Sequence, residues 1–263
     1  MNLSIIIPAY NEENRIKRTL ESYGNFFKNL KNKKEIGDFE ISVVLNACTD
    51  GTEEVVKKLR RDYNEINCTN LDRKGKGLAI INGFNGALKG NWHLIGFADA
   101  DMSTSPDVFY ELAKNIKGYG GVIASRYLKG SVASPRQSFR RIIASRVFNF
   151  LVRAMFNLPY RDTQLGAKLF TEEAIKKVLP KLGTTDWAFD VDLLYQMKRN
   201  GFKIKEIPTV WKDEKGSKLN IQSTSLKMLA SIARLRLNYS PFRFIIRTYD
   251  LLPETLKLHH RLK

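Results

Sequence analysis

Long hydrophobic runs are missing from this chain of 263 residues. No window of about 18 uncharged apolar residues occurs, so no membrane-crossing helix is predicted. The apolar opening over 3–8 is too short for a secretory leader and no basic stretch precedes it. Only two cysteines, Cys48 and Cys68, are present, which argues against the disulfide framework of a small secreted scaffold. Three histidines, His93, His259 and His260, show no Cys/His spacing and leave no zinc motif. Internal repeats, low-complexity tracts and Pro/Gly-rich linkers are also absent. At this length the chain can hold one large domain or a domain plus an appendage.

Acid is missing locally. The net charge is +17, and two segments without Asp or Glu carry most of it. Segment 126–161 holds Arg126, Lys129, Arg136, Arg140, Arg141, Arg146, Arg153 and Arg161, and segment 215–249 holds seven more basic residues. A solvated basic surface is usually mixed with acids. Two acid-free segments point instead to an anionic partner, whether phospholipid, phosphorylated substrate or nucleic acid. No recognisable nucleic-acid reader element accompanies them, and no nucleic-acid partner is predicted.

The first half alternates strand and helix. Strands are predicted over 3–8, 39–45, 66–70, 92–97 and 121–125, with helices over 12–30, 52–63, 77–88 and 106–117. Repeated β-α units imply an α/β fold with a mostly parallel sheet and helices on both faces. The second half differs. A helix over 138–158 carries Phe139, Ile142, Ile143, Val147, Phe150, Leu151, Ala154 and Leu158 as its apolar stripe, with Phe148 and Phe156 outside it. That helix reads either as core or as a segment lying in a membrane interface. A strand over 167–170, a helix over 188–199 and a strand over 203–208 follow. Two basic amphipathic helices over 223–237 and 242–262 end the chain, dividing it into a catalytic domain at 1–222 and a membrane-interface segment at 223–263.

Four polar turns carry the chemistry. Asp99-Ala100-Asp101 follows the strand at 92–97, and open α/β sheets bind ligands at such strand ends. Two close carboxylates repel each other unless a cation lies between them. Their hard oxygens suit Mg²⁺ or Mn²⁺, with phosphate oxygens completing the shell. The competing reading is a helix cap before Pro106. Pro8-Ala9-Tyr10-Asn11-Glu12 and Asn46-Ala47-Cys48-Thr49-Asp50-Gly51-Thr52 occupy the equivalent positions after the first two strands. Arg73-Lys74-Gly75-Lys76-Gly77 precedes the third helix; its glycines permit close backbone approach and its cations suit a diphosphate. One rim carrying all four turns would make a nucleotide-diphosphate site.

On these turns the chain resembles the family 2 glycosyltransferases of GT-A fold. Within them it looks like the dolichyl-phosphate glucosyltransferases and the polyprenyl-phosphate mannose synthases. The narrower likeness rests on Gly75-Lys76-Gly77, Asp99–Pro106, Ser125-Arg126-Tyr127, Asp162-Thr163-Gln164-Leu165-Gly166-Ala167-Lys168-Leu169-Phe170, Trp187–Leu194, Ile207-Pro208, Gly216-Ser217-Lys218-Leu219 and Arg236-Leu237-Asn238-Tyr239. It implies an inverting, metal-dependent hexosyltransferase that moves a hexose, glucose favoured, from a UDP-sugar or a GDP-sugar to a polyprenyl phosphate. The alternatives are a mannose synthase using GDP-mannose, and a transferase with a saccharide hydroxyl acceptor and Asp190 or Asp192 as base. Relatives carry paired aspartates after the second strand where Leu45-Asn46 stands here, which leaves the nucleobase open.

The residues to which these roles fall follow from the motifs. Asp99 and Asp101 are the candidate metal ligands, and with Arg126 and Asp190 the candidate catalytic set. Pro8, Tyr10, Asn11, Glu12, Asn46, Asp50, Lys76, Asp99, Asp162 and Gln164 are candidates for the donor. Arg126, Arg136, Ser217 and Lys218 are candidates for the acceptor phosphate, which as an anion needs cations rather than a base. The two basic segments would hold the chain peripherally on an anionic membrane, on its cytoplasmic face.

Overall fold

The computed structural model describes residues 1–134, 139–183, 187–212 and 221–244. Its centre is a seven-stranded sheet of order β3-β2-β1-β4-β7-β5-β8. These strands are β1 (Leu3–Ala9), β2 (Phe39–Asn46), β3 (Ile66–Leu71), β4 (Leu94–Ala98), β5 (Gly121–Ser125), β7 (Ala167–Thr171) and β8 (Ile204–Pro208). Every pairing is parallel except those of β7, which runs antiparallel between β4 and β5. A separate ribbon pairs β6 (Val132–Ser134) with β9 (Val210–Lys212).

Side-chain alternation along the strands divides the core between the two faces. Leu3, Ile5, Ile7 and Ala9 of β1 join one cluster, and Ile6 between them joins the other. The first cluster is covered by α1 (Ile16–Asn32), α2 (Thr52–Leu59) and α4 (Pro106–Lys114), through Leu20, Tyr23, Phe27, Val56, Phe109 and Leu112. On the other face lie α3 (Lys76–Ala87), α5 (Phe139–Phe156), α6 (Glu172–Val178), α7 (Phe189–Arg199) and α8 (Ile221–Asn238). Burial of one such Leu, Ile or Phe side chain contributes about 1.5–3 kcal/mol.

Three readings of the sequence are corrected. The first helix begins at Ile16 rather than at Glu12. Asn11 adopts a left-handed φ of 53°, which interrupts any helix at that point. The face that α5 buries is also different. Phe148, Val152 and Phe156, none of them in the expected apolar stripe, are buried, whereas Ile143, Val147 and Phe150 of that stripe, left open between core and membrane interface, are 46%, 52% and 67% exposed. Buried Asn149 explains the rotation: its Oδ1 accepts hydrogen bonds from the Thr163 backbone N (2.9 Å) and hydroxyl (3.0 Å), turning that side of the helix inward. Finally, α6, β6 and β9 were not anticipated. The helix begun at Ile221 packs inward through Ile232 and Leu235, both in the second core cluster. The rest of the expected terminal helix, with Arg136, Ser217 and Lys218, lies outside the described residues.

Candidate active site

Strand direction assembles the site. The C-terminal ends of β1, β2, β4 and β5 share one rim with the N-terminal end of antiparallel β7. The turns Tyr10–Glu12, Asn46–Thr52 and Asp99–Asp101 meet there with Arg126 and the 162–166 segment. Ala98 pairs with Ala167, and the Asp99 N–H donates to the Gly166 carbonyl at 3.1 Å. Left-handed φ values at Asn11 (53°), Ala47 (53°) and Met102 (64°) lie in these turns. Such conformations concentrate where a surrounding network holds the backbone for function.

That network is explicit between the first two turns. Asn11 Oδ1 accepts from the Thr49 N–H at 2.8 Å, the Glu12 N–H donates to the Thr52 hydroxyl at 2.8 Å, and the Gly51 N–H donates to Glu13 at 2.9 Å. Asp50 takes hydrogen bonds from the Thr52 N–H and hydroxyl and from the Glu13 N–H. Burial works against its charge, but these bonds outweigh it and hold the carboxyl below its ordinary value. Asp50 thus braces the loops. Asn46 accepts from the Gly75 N–H at 2.7 Å, joining the second turn to the Lys/Gly turn. Lys74 donates to the Tyr10 hydroxyl at 2.6 Å and lies over its ring. Pro8 is the half-buried penultimate residue of β1.

Carboxylates crowd the centre. The Asp101 carboxyl is raised above its usual value first by burial and then by the charge of Asp99. Glu12 is raised by burial, and the Asp101 and Asp99 charges add to it although Arg15 holds both its oxygens at 2.7 Å. Lys76 Nζ contacts Asp99 Oδ1 at 2.5 Å. Burial opposes the lysine's charge, yet Asp99 and Asp190 more than reverse this and raise its pKa. Asp99 and Asp101 offer hard oxygens of the kind a divalent cation takes, and no group of three or more His, Cys, Asp or Glu among the described residues completes such a shell.

Two ion pairs lie behind this centre. Arg126 grips Asp162 through Nε (2.7 Å), Nη2 (3.0 Å) and its backbone N–H (3.1 Å), with the Asp162 side chain fully buried. Burial opposes both charges; pairing overcomes it and holds Asp162 below its ordinary value. Fully buried Lys168 donates to Asp190 at 2.5 Å and to the Leu165 carbonyl at 2.6 Å. Asp192 is also fully buried, accepting from the Tyr239 hydroxyl at 2.6 Å and the Gly183 N–H at 2.7 Å. Gln164 keeps a buried Nε2 with no hydrogen-bond partner among the described residues.

Sequence reasoning missed the roles of Gly166, Lys168 and Glu206. Glu206 Oε1 fixes the 161–162 backbone by accepting from both N–H groups, at 2.9 and 2.8 Å. Gly166 and Lys168 stood in a recognised motif, but their roles depend on β7 running antiparallel.

Comparison with known proteins gives the fold and the family. A dolichyl-phosphate beta-glucosyltransferase of Dictyostelium discoideum is 32% identical over 247 residues, 90% of this chain and 74% of that protein. One of Saccharomyces cerevisiae is 31% identical over 259 residues, 90% of this chain and 75% of that protein. Glucosyl-3-phosphoglycerate synthase of Mycobacterium tuberculosis, solved with Mn²⁺ and UDP-glucose, superimposes with a TM-score of 0.64. That likeness covers 89% of this chain and 78% of the other at 15% identity, and it shows the shared GT-A fold. Residues 4–179 match Glycosyl transferase family 2. The matched span contains each turn of the acidic rim from Asn11 to Asp162, and the chain belongs to that family.

Proposed function

We propose that this chain transfers glucose from a nucleotide-diphosphate donor, UDP-glucose by preference, to a polyprenyl phosphate such as dolichyl phosphate. The relatives named for that reaction support the sugar and the acceptor. The observation that carries the reading is the state of the acidic residues around the rim. Asp162, Asp190 and Asp192 are each bound to a cation or a hydroxyl. A saccharide hydroxyl needs a free base to take its proton. A phosphate monoester is already an anion near neutral pH and needs none.

Asp99 and Asp101 would hold the divalent cation, which supplies positive charge for the departing diphosphate. Lys76 stands beside Asp99 to add a second positive charge there. Arg126 commits Nε and Nη2 to Asp162, which fixes the guanidinium plane and leaves its Nη1 edge for a phosphate oxygen. Gln164 Nε2 is a buried donor suited to a sugar hydroxyl. Arg136, Ser217 and Lys218 remain the residues proposed to hold the acceptor phosphate. Attack in a single displacement gives a β-linked product from an α-linked donor.

The acceptor's lipid tail calls for a membrane surface. No helix of the described residues is long and apolar enough to cross a membrane. Exposed Ile143, Val147 and Phe150 on α5, with exposed Phe242 and Phe244 near the end of the described chain, support peripheral contact. A panel of nucleotide sugars tested against short polyprenyl phosphates checks the reading. Glucose from UDP-glucose should appear on the lipid phosphate; transfer confined to a saccharide hydroxyl would overturn it.

A further inference from the structure

Arg126 is held from a second direction that its pairing with Asp162 does not explain. Its guanidinium carbon lies over the Trp211 ring at 5.3 Å and over the Tyr127 ring at 5.4 Å. Trp211 stands in β9, is 6% exposed and belongs to the first core cluster. The core therefore fixes its ring, whereas the Tyr127 ring also lies against Arg146, at 5.2 Å. Packing alone would accept any large apolar side chain at this position. A π face beside a cation adds an attraction that grows as water is excluded, and only 13% of the Arg126 side chain is exposed.

The same stretch of chain restrains Arg126 at two further points. Glu206 in β8 accepts from the Arg161 and Asp162 N–H groups and so sets the carboxylate that Arg126 grips. The Ser131 hydroxyl donates to the Ser125 carbonyl at 2.6 Å and accepts from the Thr209 N–H at 3.3 Å. That bridge ties the residue before Arg126 to the approach to Trp211. Ala133 of β6 pairs with Trp211, and the Val132 N–H donates to the Thr209 carbonyl at 2.9 Å. Together these contacts frame the loop 126–131. Two hydrogen bonds to Asp162 fix the guanidinium in the plane of the carboxylate but let the pair tilt together. The indole face opposes that tilt.

Position in the sheet says which substrate this frame serves. Asp99 and Asp101 follow β4, Arg126 follows β5, and β7 lies between the two strands. Two strand spacings, roughly 10 Å, thus separate the candidate cation seat from Arg126, which leaves room for the hexose between donor and acceptor phosphates. We propose that Trp211 is a positioning residue for the acceptor, acting through Arg126 to fix where the attacking group stands relative to the sugar. This rests on the proposed transfer from a nucleotide sugar to a phosphate acceptor.

The test compares Trp211→Met, which keeps an apolar side chain and loses the ring, with Trp211→Phe, which keeps a ring. Trp211→Met is also combined with Arg126→Lys. For the full chain, KM for a short polyprenyl phosphate, KM for UDP-glucose and kcat are measured, with circular dichroism as the folding control. Trp211→Met should raise the acceptor KM about tenfold and Trp211→Phe about threefold. The UDP-glucose KM should stay within about twofold in both. Arg126→Lys loses the paired donors and should raise the acceptor KM roughly 10–100-fold. Adding Trp211→Met to it should cost less than about twofold more, because the ring has lost the group it acts through. Effects that multiply in the double variant would overturn the proposal. Equal falls in kcat for Met and Phe, with both KM values unchanged, would also overturn it by reducing Trp211 to core packing. A rise confined to the UDP-glucose KM would overturn it by giving Arg126 to the donor. A wild type that glucosylates a saccharide hydroxyl instead, with the two effects on that acceptor's KM still failing to multiply, supports the positioning role and sinks the phosphate-acceptor reading.

Discussion

The Asp99 carboxylate fills the space beside the Gly166 α-carbon. A β-carbon at Gly166 would stand 2.0 Å from Oδ2 and 2.3 Å from Oδ1 of Asp99. The two residues are also joined by the Asp99 N–H to Gly166 carbonyl bond of 3.1 Å. Glycine is therefore required for close approach, and what it admits is a candidate metal ligand.

Gly166→Ala follows from this contact. The atom in the way is the end of a side chain, so the fold should survive with little change in melting temperature. Asp99 must turn aside, and kcat should fall roughly 10–100-fold, since displacements of about 1 Å at a site cost that much. Steady-state kinetics with cation titration check it; the cation requirement should rise.

Asp162→Asn leaves Arg126 buried and unmatched, which should cost about 3–5 kcal/mol. The sign of the pH effect follows from the lowered carboxyl of Asp162. Its folded value lies below the unfolded value of about 3.9, so the pair contributes fully above that pH, and its contribution is lost as pH falls through the folded value. Urea unfolding at a series of acidic pH values should give a steep loss for wild type and a flatter one for the variant.

The Lys168–Asp190 pair separates a bracing role from a base. Lys168→Met and Asp190→Ala should each destabilise by about 3–5 kcal/mol, because either leaves a charge unpaired in the interior. The double variant should recover much of that stability and retain transfer. A general base at Asp190 requires the double variant to be as inactive as Asp190→Ala.

Tyr239→Phe removes the hydroxyl that donates to Asp192 and receives from Gln196 Nε2, at 2.6 Å each. Burial and then the bond to Asp192 raise the Tyr239 pKa, keeping the phenol protonated as donor. Loss of a hydrogen bond to a charged group should destabilise by about 1.5–3 kcal/mol, measured by thermal unfolding. Turnover per folded molecule should be unchanged.

Local pattern carried much of this fold. Alternation in β1 and the turns after β1, β2 and β4 were readable because strand period and polar turn chemistry are properties of neighbouring residues. The Asp99-Ala100-Asp101 pair was legible for the same reason. What the sequence hid depends on distant partners. The apolar count on α5 left Val147 and Phe150 between core and membrane interface, and one buried amide, Asn149 bound to Thr163, settles which side of the helix turns inward. Gly166 and Lys168 gain their roles from a strand that runs against its neighbours, which periodicity does not reveal. Thr171 capping α6, with Glu172 and Glu173 behind it, was a readable helix start, overlooked because the helix has only seven residues.

The central claim is that Asp99 and Asp101 hold a cation for glucosyl transfer to a polyprenyl phosphate. Its most direct test follows labelled glucose from UDP-glucose into lipid phosphate with Mn²⁺ or Mg²⁺, for wild type and Asp101→Ala. Cation-dependent transfer by wild type, reduced at least about 10²–10³-fold in the variant, is the predicted result. Undiminished transfer by Asp101→Ala, or wild-type transfer indifferent to chelation of the cation, would contradict it.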